Sequence, residues 1–199
     1  MLSVNETTYS TAQTAYVALG GNVTTSEGTP EILVKEAISR LSGVGLRVVA
    51  QSRLYRTPSY PDPSEPEFVN ACVAVVTTLT PEGVLERLHG IEAEFGRERL
   101  VRWGRRSLDL DLLAMDSLVL PDRAGFLRWR DLPPADQTRL APDRLILPHP
   151  RLQDRAFVLV PLADIAADWV HPVLGQSVAA LLANLPAADR ASVRPIPGT

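Results

Sequence analysis

The chain has 199 residues, 45% of them hydrophobic, with a net charge of −3 and a pI near 5.6. That length and apolar content suffice for one sizeable core, read here as a single domain over 14–185 between polar tails at 1–13 and 186–199. The acidic balance argues against a general nucleic-acid binder. The lone Cys72 excludes an internal disulfide and fits a reducing cytoplasm, and no apolar run of about 18 residues or basic leader suggests a membrane span or signal peptide.

In chain order, residues 1–13 are polar and expected to be disordered. Ala15 to Leu19 reads as a buried strand that runs into Gly20-Gly21-Asn22. Thr29-Pro30-Glu31 marks a helix start: a capping side chain, proline in the first turn, then an acid at the positive end of the dipole. Val34, Ala37, Ile38 and Leu41 give that helix its apolar stripe, and Gly43 is its stop. Leu46 to Tyr55 is strand-like and ends in Tyr55-Arg56-Thr57-Pro58, before a proline-rich loop over Ser59–Pro66. Phe68 to Leu79, β-branched around Val73, Val75 and Val76, is a second long strand with Cys72 as a buried, inert thiol. Thr80-Pro81-Glu82 repeats the helix-start signal, and Val84, Leu88, Ile91 and Phe95 line one face of a helix carrying His89 and Glu92.

Five arginines follow within ten residues (Arg97, Arg99, Arg102, Arg105, Arg106), with Trp103 among them and Leu108-Asp-Leu-Asp-Leu112 directly after. Alternation at period two makes that run a half-buried strand, with Asp109 and Asp111 on one face roughly 6.5–7 Å apart. Two carboxylates so spaced can share a pair of hard cations, which fill their remaining positions with water and phosphate oxygens. Arginines beside them supply fixed positive charge and bidentate donors to the same phosphates. A solvated strand face stands as the bland alternative for the acidic pair. Arginine is also this chain's default cation, since Lys35 is the one lysine among 20 basic residues. The clustering, more than the count, favours a site for a polyphosphate with magnesium.

Pro121 to Asp143 mixes proline, arginine and aspartate and reads as an irregular excursion, expected to be dispensable surface. Leu147-Pro-His-Pro150 resumes order, Phe157 to Ala167 is apolar, Val178 to Leu185 forms a short last helix, and His171 is expected at the surface. Strand–helix–strand occurs twice, followed by helices. The fold class is therefore α+β: a ferredoxin-like antiparallel sheet with packed helices and an appended C-terminal helical part.

Tyr55-Arg-Thr-Pro58, Phe68-x-Asn70, Arg102-Trp-Gly-x-Arg106-x-Leu-Asp-Leu-Asp111 and Pro148-His-Pro-Arg151 with Arg155-x-Phe157 occur in order and together resemble 6-hydroxymethyl-7,8-dihydropterin pyrophosphokinase. The resemblance runs from Tyr16 to about Pro172. It implies pyrophosphate transfer from ATP to a pterin alcohol in folate biosynthesis, by a cytoplasmic monomer that binds neither nucleic acid nor membrane. Asp109 and Asp111 would bind two Mg²⁺ ions, with Arg97 and Arg106 as catalytic groups. Thr57, Pro58, Tyr60, Phe68, Asn70 and Phe157 would hold the pterin, the two rings stacking its faces and the amide reading its edge. His89, Glu92, Arg99, Arg102, Trp103, Arg144, His149 and Arg155 would hold ATP. Gly96–Ser107 and Ser59–Pro66 would correspond to mobile loops. Gly21 replaces the family's serine, His89 stands where some members have glutamine, and Pro150 where some have tyrosine. Taken without the family, Phe68 and Phe157 read equally as core, Asn70 as a strand-edge amide, His149 as a turn histidine and Trp103 as a loop anchor. A sugar-nucleotide transferase and a ligand-sensing module are the rival readings from other classes.

Overall fold

The computed structural model describes residues 8–43, 45–59, 64–96, 107–137 and 139–199. Its elements are β1 (Thr8–Gly21), α1 (Pro30–Leu41), β2 (Arg47–Gln51), β3 (Tyr55–Thr57), β4 (Phe68–Leu79), α2 (Pro81–Glu94) and β5 (Asp109–Met115). Then come α3 (Arg123–Arg130), α4 (Pro134–Gln137), a 3-10 turn (Leu152–Asp154), α5 (Ala156–Ala166), α6 (Val178–Asn184), α7 (Ala187–Ser192) and β6 (Arg194–Pro195). The strands form one antiparallel sheet in the order β5-β1-β4-β3-β6, with β2 beside β3 along β4.

Period-two alternation decides the layers. Val17, Leu19, Val69, Ala71, Val73, Leu110 and Leu112 face the stripes of α1 and α2 in one core, which includes Leu33, Leu41, Leu88 and Ile91. The opposite face carries Cys72 and Leu113, packed under Leu159 and Leu162 of α5 and Leu181 of α6. The expectation of an antiparallel α+β sheet with packed helices holds. At the start of α2, Thr80 Oγ1 accepts from the Gly83 N–H at 3.2 Å. Thr29 makes no such bond, so α1 begins on Pro30 and the acidic Glu31 without the expected side-chain cap.

Three segments differ from the sequence reading. Thr8 to Gln13 belongs to β1, where Thr8 and Gln13 oppose Leu79 and Thr77 across an irregular register. The segment read as a C-terminal tail folds into α7 and β6, which adds to the β3 edge; Val193 is buried and the Ile196 N–H donates to the Leu54 carbonyl at 2.8 Å. Pairing satisfies backbone groups that an exposed sheet edge would leave open. The excursion at 121–143 is not irregular throughout. Asp122 caps α3 by accepting from the Gly125 N–H at 2.8 Å, and Phe126 is fully buried with Ile146 and Val173.

His171, expected at the surface, is 0% exposed. Its Nδ1 accepts from the Val173 and Leu174 N–H groups at 3.2 and 3.3 Å, and its ring lies 5.2 Å from Phe126 and 5.7 Å from Trp169. Burial pushes its pKa down to about 4. Among the described residues, no helix is long and apolar enough to cross a membrane.

Candidate active site

Residues opposed in neighbouring antiparallel strands project from the same face of a sheet. One such row crosses four strands: Asp109 of β5 opposes Gly20 of β1, which opposes Asn70 of β4, which opposes Tyr55 of β3. Asp111 is two residues along from Asp109 and opposes Ala18, on the same face. With adjacent strands about 4.8 Å apart, the acidic pair and the Asn70 amide begin about 10 Å from each other. Nothing projects from the strand between them, because position 20 is glycine. A Cβ there would meet Asn70 Oδ1 at 2.8 Å, closer than side chains tolerate.

At the Asn70 end the polar groups are mutually fixed. Asn70 Nδ2 donates to Thr57 Oγ1 at 2.8 Å, and both residues are buried. Thr57 opposes Phe68, which is half-buried, and Pro58 beside it is exposed. Asn22, at the turn after β1, donates through Nδ2 to the Pro66 carbonyl at 3.2 Å and ties that turn to the segment before β4. Phe157, at the start of α5, is 40% exposed, so it is not a core ring. Its face carries the Arg155 guanidinium, 5.6 Å from the centroid.

At the other end, β5 is the sheet edge, and its Leu110 N–H donates to Glu92 Oε1 at 2.7 Å. Glu92 is 2% exposed, so its carboxylate acts as a strut under the strand segment between Asp109 and Asp111. His89 lies exposed one turn earlier on α2. Arg155 Nη1 stands 3.7 Å from Asp111 Oδ2. The His149 backbone N–H donates to the Leu113 carbonyl at 2.7 Å, and its Nδ1 accepts from the Arg151 N–H at 3.1 Å. Burial, then the charges of Arg155 and Arg151, push the His149 pKa down to about 3, against an opposing pull from Asp109. The imidazole is therefore neutral at ordinary pH and carries its proton on Nε2, because Nδ1 is an acceptor.

The fold thus brings Thr57, Phe68 and Asn70 together at one end of the row and Asp109, Asp111, Glu92, His149 and Arg155 at the other. Arg144 pairs with its neighbour Asp143 at 3.3 Å and lines a cavity of about 390 Å³ with Pro121, Asp122, Arg128, Trp129 and Ile146. Tyr60, Arg97, Arg99, Arg102, Trp103 and Arg106 lie outside the described residues. Two supporting groups escaped the sequence reading. Asp164 of α5 accepts from Tyr55 Oη at 2.7 Å and from Arg53 Nη2 at 2.8 Å, and pins the end of the row; nothing local to Asp164 signals this. Burial, then that bond, pushes the Tyr55 pKa up to about 12. Arg151 was visible in Pro148-His-Pro-Arg151, but its partners lie 21 and 22 residues away.

Among the described residues no group of three or more His, Cys, Asp or Glu side chains could hold a metal by itself. Asp109 and Asp111 do fit Mg²⁺. They are two half-buried carboxylates on one strand face, a donor set that leaves positions for phosphate oxygens and water.

The sequence pattern of the 7,8-dihydro-6-hydroxymethylpterin-pyrophosphokinase (HPPK) family matches residues 16–167. The chain is similar to the 2-amino-4-hydroxy-6-hydroxymethyldihydropteridine pyrophosphokinase of Methylorubrum extorquens, at 40% identity over 86% of this chain and 92% of that one. It is similar to the protein of the same name in Synechocystis, at 39% identity over 84% of this chain and 74% of that one. Among solved structures, Plasmodium falciparum HPPK-DHPS superimposes with a TM-score of 0.59 at 16% identity, covering 87% of this chain and 44% of that one. At that identity the structural likeness speaks for the fold alone.

Proposed function

This chain belongs to the 7,8-dihydro-6-hydroxymethylpterin-pyrophosphokinase family, and we propose how its residues divide the family's reaction. The enzyme transfers pyrophosphate from ATP to 6-hydroxymethyl-7,8-dihydropterin in folate biosynthesis. The pterin hydroxymethyl oxygen attacks the β-phosphorus in line, a new O–P bond forms as the bridge to the α-phosphate breaks, and AMP departs.

The row Asp109–Gly20–Asn70 is the observation that supports this reading most strongly, because it sets a carboxylate pair and a ring-reading amide on one face, with a strand position that carries no side chain between them. Asn70, held by Thr57, reads the hydrogen-bonding edge of the pterin, and Pro58 and Tyr60 are assigned further contacts to it. Phe68 and Phe157 cover its two faces. Asp109 and Asp111 would hold two Mg²⁺ ions, which would supply positive charge to offset that of the phosphates during transfer. His149 donates its Nε2–H to a phosphate oxygen as a neutral group, and Arg155 and Arg144 add cationic contacts. Arg97, Arg99, Arg102, Trp103 and Arg106 complete the phosphate side, Arg97 and Arg106 on the transferring group. Glu92 keeps β5 in place, and His89 contacts the nucleotide from α2. The protein's work is positioning and charge stabilisation, with no protein base assigned. One cysteine in the chain, the free thiol of Cys72, fits a reducing, cytoplasmic setting.

A ³¹P NMR time course with Mg²⁺, ATP and 6-hydroxymethyl-7,8-dihydropterin tests the reading. AMP and a pterin diphosphate should appear together. Stoichiometric ADP would make the protein an ordinary kinase and remove the proposal.

A further inference from the structure

Arg151 has no role in the division above, yet it joins two regions far apart in the chain. Its guanidinium donates through Nη1 to the Arg130 carbonyl at 2.8 Å and through Nη2 to the Trp129 carbonyl at 2.9 Å. These are the last carbonyls of α3, which have no partner within the helix and lie at its negative end. A planar cation with two parallel donors suits them. The Arg151 side chain is only 15% exposed, and Asp154 stands 3.6 Å away on its other side. Nor is α3 a loose flap: Phe126 is fully buried, and Arg123 Nη1 donates to the Val173 carbonyl at 3.0 Å.

The backbone of the same residue sets His149. The Arg151 N–H donates to His149 Nδ1, and the Leu152 N–H donates to the His149 carbonyl at 3.0 Å. The turn is closed on both sides, and Arg155 follows it by four residues at 3.7 Å from Asp111.

We propose that Arg151 is a positioning residue for the nucleotide: clamped on the end of α3, it holds the turn so that His149 presents Nε2–H, and Arg155 its guanidinium, to phosphate oxygens beside Asp109 and Asp111. This deepens the pyrophosphokinase reading and rests on it. It also makes the 121–143 excursion the anchor of the phosphate end, where the sequence alone suggested dispensable surface.

Two measurements test it. Long-range ¹H–¹⁵N correlation of the wild-type histidine rings, with His149 assigned by its loss in His149→Gln, should show Nε2 protonated and Nδ1 bare; a proton on Nδ1 overturns the proposal. Arg151→Met, which keeps most of the apolar stem, should weaken binding of a non-hydrolysable ATP analogue with Mg²⁺ at least tenfold and leave the pterin KM within twofold. Arg151→Lys, a cation without the fork, should fall between. Analogue affinity within twofold of wild type in a folded Arg151→Met protein, or a pterin KM that rises as much, overturns the positioning role. Should Arg151→Met not fold, Arg151→Lys and the wild-type tautomer still decide. A wild-type protein that binds the analogue but makes no AMP from the pterin counts against the functional reading alone, since neither the ring tautomer nor the analogue affinity needs turnover.

Discussion

Thr57 and Asn70, at one end of the cross-strand row, are placed by strand register, and the bond between them joins neighbours on paired strands. At the other end, Asp109, Asp111, His149 and Arg155 are held by side chains that reach from elsewhere: Glu92 from α2 onto the β5 edge, and Arg151 onto the end of α3. A ring acceptor needs a rigid edge and two faces, which a sheet supplies directly. Phosphates and metals need charges converging from several directions, and those must be braced one by one against their own repulsion and desolvation. The proposed acceptor end should therefore fail locally when perturbed, and the proposed phosphate end through its supports.

The largest effect expected is on chemistry. Asp109→Ala and Asp111→Ala should each lower turnover on the order of 10³-fold or more. Stability should stay within about 0.5 kcal/mol, read from denaturant curves, because the carboxylates are half-buried on an open face. Near-normal rates in either variant would break the comparison at its centre.

Phe126→Ala asks whether the excursion is a support. Emptying a fully buried ring position should cost about 3 kcal/mol in urea unfolding. A cost near zero would return α3 to the status of surface.

Glu92→Ala should cost about 2 kcal/mol, because the Leu110 N–H loses its acceptor inside the protein. Glu92→Gln keeps an oxygen there and should recover most of that loss. Equal losses in both variants would mean that the charge, rather than the strut, matters.

Gly20→Ala sharpens the acceptor end. The new methyl would push on Asn70 Oδ1 and loosen its bond to Thr57, so the pterin KM should rise about tenfold, equivalent to about 1.4 kcal/mol, with the ATP KM little changed. A parallel rise in both constants would show that the two ends are not independent.

The smallest effect is a pH dependence. The folded pKa of His171 lies below its unfolded value, so the unfolded chain binds more protons at mildly acid pH. Stability is then complete above the unfolded pKa and falls as pH drops toward the folded one, by about 1 kcal/mol between pH 7 and 5.5. His171→Asn, which keeps an acceptor for the Val173 and Leu174 N–H groups, should reduce this slope in thermal melts at the two pH values and leave the part of the same sign that His149 contributes. An unchanged slope would assign it elsewhere.

The sequence by itself determined the strands and helices whose signal is local. β-Branched residues marked β4, alternation marked β5, the Thr-Pro-Glu starts marked α1 and α2, and the alternation of β5 put Asp109 and Asp111 on one face. It also carried the family, because the motif residues cluster in short runs. Only the tertiary structure decided that Gly20 lies between Asp109 and Asn70 and leaves room for the Asn70 amide, since strand order is a relation among distant segments that no single segment encodes. The roles of Glu92, Arg151 and Asp164 were hidden for the same reason: each satisfies a backbone or side-chain group that is distant in sequence. His171 and the 186–199 segment were misjudged because polar composition predicts exposure, and burial with two backbone donors or pairing at a sheet edge overrides it.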